Sequence, residues 1–386
     1  TSLDARATAR CLRRLGAEVS PRRTGVETRV TGRGRLLAPA GRLDCGNAGT
    51  TARLLTGLLA AHPFEARLTG DASLRRRPMR RITEPLGRMG ARFAPETPST
   101  LPFTVHGGTL RSLNWDLPVS SAQVKGSLLF AGLAGNVPVS LREPSGLSRD
   151  HTERLLRAFG YEVETRGGRI EFSPGGRVTP FDVAIPGDPS SAAFPVGAAI
   201  LAEGGELAVA EVGVNPTRTG FLAVLERMGA RVVIEGVEER FGEPVGTLRA
   251  RPEGLRGTEV RSGEIPGLVD EVPLLAVLAS RAHGETVFRD VGELRVKESD
   301  RLGLIAENLR AVGASAEVRG NDLHVAGSDA PPRGRVRTEG DHRIAMAFAV
   351  LGTLPGSRVR IDDLACAAVS FPGFEAMLRS IRAGSR

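Results

Sequence analysis

A chain of 386 residues has room for two or three domains, and its 41% apolar and 25% charged residues are ordinary globular composition. The net charge of +8 arises from 52 bases interspersed with 44 acids, and only 4% of residues are aromatic. That balance argues against a stacking nucleic-acid binder and for a positive field that attracts small anions.

No apolar run reaches the length of a membrane span, and no signal peptide is legible. Cys11, Cys45 and Cys366 match no metal or redox spacing, so a reducing cytoplasm is expected.

In chain order, one short pattern recurs: Leu-x-x-apolar-Gly at the end of an amphipathic helix, then a strand. It runs from Leu12 to Gly16, Leu86 to Gly90, Leu156 to Gly160, Leu225 to Gly229 and Leu309 to Gly313. The closing glycines are 74, 70, 69 and 84 residues apart, and a degenerate copy, Phe371 to Ile381, follows. Polar turns that open apolar helices interleave with these: Cys45 to Thr50, Ser120 to Gln123, Asp188 to Ser191, Asp270 to Pro273 and Asp341 to Arg343.

Six units of about 70 residues are expected, each with two helices among strands. They form a two-lobed α/β fold with three units per lobe, residues 1–186 and 187–386. The first unit lacks its polar opening, so the spacing places Thr1 inside that unit's second helix.

Candidate site residues cluster at the helix openings. Gly49, without a side chain, lets an oxyanion approach the backbone NH groups of the turn holding Asn47. That turn is neither a P-loop nor a dinucleotide fingerprint, and an ordinary capped turn explains it equally well. Arg77 adjoins Pro78, which is expected at the first position of a helix, and is placed to take phosphate or carboxylate. In so arginine-rich a chain, a solvated face is the commoner reading of Arg75 to Arg77.

Ser121 and Gln123 open a helix with groups suited to a polar ligand, and Ser145 lies in a Glu-Pro-Ser-Gly turn. Asp270 and Glu271 open another helix, where an acid is often only a cap. His342 reads as structural, and Arg343 beside it is expected to join a cluster with Arg77 and Arg301.

Lysine occurs only at Lys125 and Lys297. Lysine, unlike arginine, can release its proton when buried or flanked by cations. Lys297, Glu298 and Arg301 fall between the strand Thr286–Arg289 and a helix for which Ser299 is the expected N-cap. A base, an acid and an anion clamp thus share five residues, against the alternative of a solvated cap. Lys125 has no assigned role.

GNAGTTAR, RRRP, SSAQVKGSLL, EPSGLSRDHTE, IPGLVDEVP, VKESDR, DHRIAMAF and SFPGF together resemble the EPSP synthase family over essentially the whole chain. The resemblance implies a two-lobe fold of six βαβαββ units. It also implies enolpyruvyl transfer from phosphoenolpyruvate to the 5-hydroxyl of shikimate 3-phosphate in aromatic amino acid biosynthesis. Neither metal nor organic cofactor is implied, nor a nucleic-acid or membrane partner, and a monomer is expected.

By motif, Ser121, Gln123, Ser145, Asp270 and Lys297 would contact shikimate 3-phosphate. Asn47, Gly49, Arg77, Gln123, Arg301 and Arg343 would hold phosphoenolpyruvate. Asp270 would take the hydroxyl proton, with Lys297 beside it, and Glu298 would protonate the methylene carbon. Closing of the two lobes would exclude water.

The sequence departs from the family in places. A lysine-serine-arginine motif that binds both substrates would fall before Thr1, and a chain without it is expected to turn over little. Ala122 replaces a serine, and Val369 replaces a lysine found in some members. The related transferase acting on UDP-N-acetylglucosamine is the rival reading. It uses a cysteine in a mobile loop, which none of the three cysteines here matches.

Overall fold

The structure, a computed structural model, describes residues 2–23, 26–144 and 146–384, with side chains as far as Ile381. The chain forms two compact units, Thr1–Phe181 and Asp182–Arg386.

The N-terminal unit carries α1 (Leu3–Arg14), α2 (Gly49–Ala60), α3 (Arg80–Met89), α4 (Ala122–Gly135) and α5 (His151–Ala158). The C-terminal unit carries α6 (Pro189–Ile200), α7 (Gly220–Arg227), α8 (Val272–Ala279), α9 (Arg301–Ala311), α10 (His342–Leu351) and α11 (Phe374–Gly384).

One sheet pattern recurs. In the N-terminal unit the strands Leu43–Asp44, Glu65–Thr69, Phe103–His106 and Arg92–Ala94 lie side by side in that order. The first two are parallel, joined through α2, and the last two form a hairpin reached through α3. Leu113–Asp116, Val139–Arg142, Arg169–Ser173 and Glu162–Arg166 repeat this order around α4 and α5. Along Arg169–Ser173, Ile170 and Phe172 are buried while Arg169, Glu171 and Ser173 face out, so the pleat sets which face meets the helices.

In the C-terminal unit, Glu259–Val260, Glu285–Phe288, Asp322–Ala326 and Ser315–Arg319 have the same order. Leu207–Gly213, Glu243–Ala250 and Val232–Arg240 form a three-stranded version, which a parallel bridge from Gly187 to Val212 extends. Arg333–Val336 and Arg358–Ile361 form a parallel pair across α10.

The recurring glycines end their helices as expected. Gly16, Gly90, Gly160, Gly229 and Gly313 have φ of +94°, +116°, +81°, +92° and +90°, a left-handed conformation that side chains disfavour. Two kinds of helix alternate. α8 is buried at every residue, whereas α3 buries Ile82, Leu86 and Met89 and exposes Arg80 and Arg88. A helix apolar all round lies inside the unit, so its polar groups concentrate in the turn that opens it. Asn47, Ser121 and Asp270 sit in such turns, before α2, α4 and α8.

Candidate active site

In the N-terminal unit α2 and α4 pack side by side. Gly57 permits the approach: a Cβ there would stand 1.8 Å from the carbonyl oxygen of Ser127. Ser127 Oγ donates to the Arg53 carbonyl at 2.7 Å, so the two helix starts are held level.

Gln123 Nε2 donates to Thr50 Oγ1 at 2.7 Å, and Arg53 donates to Gln123 Oε1. Arg77, 6% exposed, donates to Asn47 Oδ1, and Asn47 Nδ2 donates to Asp71 at 2.6 Å. A Cβ on Gly49 would lie 2.8 Å from Arg53 Nη1 and 2.9 Å from Arg77 Nη1. Asn47, Gly49, Arg77 and Gln123 therefore gather around two guanidinium groups at the start of α2. Ala48 offers no side-chain cap there and no acid occupies the first turn. Backbone donors and guanidinium charge at one helix start suit an anion.

Ser121 is the N-cap of α4, and its NH donates to Glu143 Oε1 at 3.0 Å. Ser145 lies outside the described residues. Two local expectations fail. α3 starts at Arg80 with Met79 as N-cap, so Pro78 precedes the helix, and its carbonyl accepts from Arg53 at 3.2 Å. α9 is capped by Asp300, whose carboxylate takes the Gly303 NH; Ser299 instead donates to Asp341 at 2.9 Å. Serine and aspartate are comparable caps by residue type, and the Ser299 hydroxyl is engaged by Asp341.

The C-terminal unit assembles charge more densely. Arg301 is 1% exposed. Its Nε pairs with Asp341 at 2.8 Å, Nη1 lies 3.5 Å from Asp270 and Nη2 pairs with Glu298. Burial alone would weaken the Arg301 charge, and the three carboxylates more than restore it. Arg343 donates to the Asp270 carbonyl at 3.1 Å and lies 3.8 Å from its carboxylate. Arg301 and Arg343 thus meet at Asp270; Arg77 belongs to the N-terminal unit. Asp341 caps α10 through the Arg343 NH at 3.0 Å. Lys297 is 23% exposed, with its ammonium 3.8 Å from Glu293.

Arg218, absent from the sequence expectations, and Glu271, expected only as a helix opener, lie behind this cluster. Arg218 reaches Glu271 at 3.2 Å, Asp188 at 3.7 Å and Asp270 at 3.8 Å. Ser190 bridges Arg218 and Glu271. Burial drives the Glu271 carboxyl up despite Arg218 and Arg343. For Asp188, burial is outweighed by the same two arginines and the carboxyl is held down. His342, read from the sequence as structural, is 5% exposed. Burial, then Arg343 and Arg301, push its imidazole down from 6.5 to about 4. Arg218 escaped sequence reading because arginine is too common here to mark a site, whereas Glu271 already stood at a polar helix opening. Among the described residues no group of His, Cys, Asp and Glu is placed to hold a metal.

A family model described as EPSP synthase (3-phosphoshikimate 1-carboxyvinyltransferase) matches residues 1–378. A curated 3-phosphoshikimate 1-carboxyvinyltransferase of Thermus thermophilus is 50% identical over 374 residues, covering 96% of this chain and 86% of its own. That of Desulforudis audaxviator is 46% identical over 382 residues, covering 98% and 89%. The solved EPSP synthase from Acinetobacter baumannii superposes with a TM-score of 0.84 at 38% identity, over 99% of this chain and 88% of that one. The enolpyruvyl transferase NikO from Streptomyces tendae, 19% identical with a TM-score of 0.75 over 98% and 87%, shares the fold.

Proposed function

Since the chain belongs to the EPSP synthase family, we propose that it transfers the enolpyruvyl group of phosphoenolpyruvate to the 5-hydroxyl of shikimate 3-phosphate and releases phosphate. The observation that carries this reading is the meeting of Asp270 and Glu298 on the single buried guanidinium of Arg301, with Arg343 beside them. Two acids beside an anion clamp are what the addition requires.

Asp270 takes the proton of the 5-hydroxyl, with Lys297 assisting, as that oxygen bonds to C2 of phosphoenolpyruvate. Glu298 gives a proton to C3, which yields a tetrahedral intermediate. Cleavage of the C2–O bond to phosphate, with loss of a proton from C3, restores the double bond. Arg77, Arg301 and Arg343, with Asn47, Gly49 and Gln123, hold the carboxylate and phosphate. Ser121, Gln123 and Ser145 hold shikimate 3-phosphate. Forked guanidinium donors fit both anionic ends and stabilise charge as phosphate leaves. Arg301 is already neutralised by three carboxylates, so an incoming anion competes with Glu298 and Asp341 for it.

The UDP-N-acetylglucosamine reading is not favoured. Cys11 and Cys45 are 1% and 0% exposed, and burial followed by nearby aspartates pushes the Cys366 thiol up to about 12. None is a ready nucleophile. The three free cysteines suit a reducing cytoplasm, and we take the enzyme to act as a monomer, which light scattering checks. Phosphate release from phosphoenolpyruvate, measured with shikimate 3-phosphate and with UDP-N-acetylglucosamine, tests the assignment. Release with the first acceptor alone is expected; release with the second alone contradicts it.

A further inference from the structure

We propose that Lys125, Glu143 and Glu153 form a buried positioning triad that sets the shape of the shikimate 3-phosphate site, an inference resting on the assignment of that substrate above. All three side chains are out of solvent. Lys125 Nζ meets Glu143 Oε2 at 3.1 Å, Glu153 Oε1 at 2.7 Å and the Ser148 carbonyl at 3.1 Å. Two of the ammonium's three donors are used in hydrogen bonds, to Glu143 and to the Ser148 carbonyl, and Glu153 is held beside it by charge. A guanidinium is planar and larger, so this fully enclosed place suits lysine in a chain otherwise built with arginine.

Glu143 is the hub. Its Oε1 accepts from the Ser121 NH at 3.0 Å and from Ser148 Oγ at 2.5 Å, and its Oε2 accepts from the Ser148 NH at 2.9 Å. Ser120 Oγ adds a bond to the Gly146 carbonyl at 3.0 Å. The turn that opens α4 and the turn on either side of residue 145 are thereby tied to one carboxylate. Lys125 fixes that carboxylate, and Glu153, from the first turn of α5, fixes the ammonium.

Two acids face one base, and burial raises the Glu153 carboxyl against the pull of Lys125. Buried ion pairs add little stability over apolar packing. Their value here lies in where they hold the amide of Ser121 and the turn ending at Ser148.

Lys125→Met tests this by titration with shikimate 3-phosphate, steady-state kinetics and amide exchange. The dissociation constant for shikimate 3-phosphate is expected to rise about tenfold, the worth of one lost hydrogen bond. The KM for phosphoenolpyruvate, at saturating shikimate 3-phosphate, should stay within about twofold, and the amides of Ser121 and Ser148 should exchange faster.

Should the single variant not fold, Lys125→Met/Glu143→Leu/Glu153→Met replaces the triad by apolar groups. It is expected to recover stability without recovering affinity. Affinity that returns with stability, or one that falls no further than in the core variant Val105→Ala, overturns the proposal. If the unaltered protein does not bind shikimate 3-phosphate, the substrate assignment falls, and unchanged exchange at Ser121 and Ser148 in Lys125→Met separately overturns the triad.

Discussion

The chain's two lysines stand in opposite surroundings, and the contrast extends to the units that hold them. Lys125 is enclosed between two acids behind the α4 start, while Lys297 is 23% exposed at the edge of the C-terminal cluster. Around Lys125 the buried charge supports groups that are themselves neutral: the NH of Ser121 and the NH and hydroxyl of Ser148. Around Arg301 the charges are themselves the candidate reacting groups. The N-terminal unit holds neutral donors in a fixed shape beside buried charge. The C-terminal unit is built to place acids beside cations, where a proton moves without stranding charge.

The largest structural test of that contrast removes the C-terminal hub. Arg301→Met leaves Asp341 buried without its guanidinium partner, and a loss of about 3–5 kcal/mol in unfolding free energy is expected from urea denaturation. A loss under about 1 kcal/mol would show that the carboxylates do not depend on Arg301.

A smaller effect comes from pH. The folded chain holds His342 neutral down to about 4, whereas the unfolded imidazole takes its proton near 6.5. Between those values the unfolded state binds more protons, so stability is full above 6.5 and declines as pH falls toward 4. The decline is worth up to about 3 kcal/mol. His342→Gln should flatten that slope in denaturation curves taken across the window; an unchanged slope would assign it to other groups.

The smallest effect sharpens the N-terminal side. Gly49→Ala places a methyl against the ends of Arg53 and Arg77, which are flexible enough to yield. The KM for phosphoenolpyruvate is expected to rise about threefold to tenfold, roughly the worth of one displaced hydrogen bond. Melting temperature should hardly move, and a large drop in it would mean that the two arginines are rigidly packed.

Much of this was legible in the residues. The Leu-x-x-apolar-Gly helix ends are real because only a residue without Cβ turns left-handed cheaply at Gly90 or Gly313. The polar openings before α2, α4, α6, α8 and α10 are real because helices this apolar leave few other places for polar groups, Lys125 and Ser127 inside α4 being exceptions. Scarcity marked both lysines, but only the coordinates show Lys125 paired with Glu143 and Glu153, from segments 18 and 28 residues further along. Ser299 and Asp300 compete for one cap one residue apart, which local preference does not resolve. Arg53 and Arg218 were hidden by the abundance of their own kind, since partners such as Gln123 and Glu271 lie 70 and 53 residues away.

Turnover by Glu298→Gln, set beside its titration with shikimate 3-phosphate, tests most directly whether the C-terminal acids react while the N-terminal turns bind. The account predicts that kcat falls about 10²–10⁴-fold, the usual worth of a positioned proton donor. The dissociation constant should stay within about threefold, less than one hydrogen bond is worth. A kcat within about tenfold of the unaltered enzyme, or an affinity that falls in step with kcat, would contradict it.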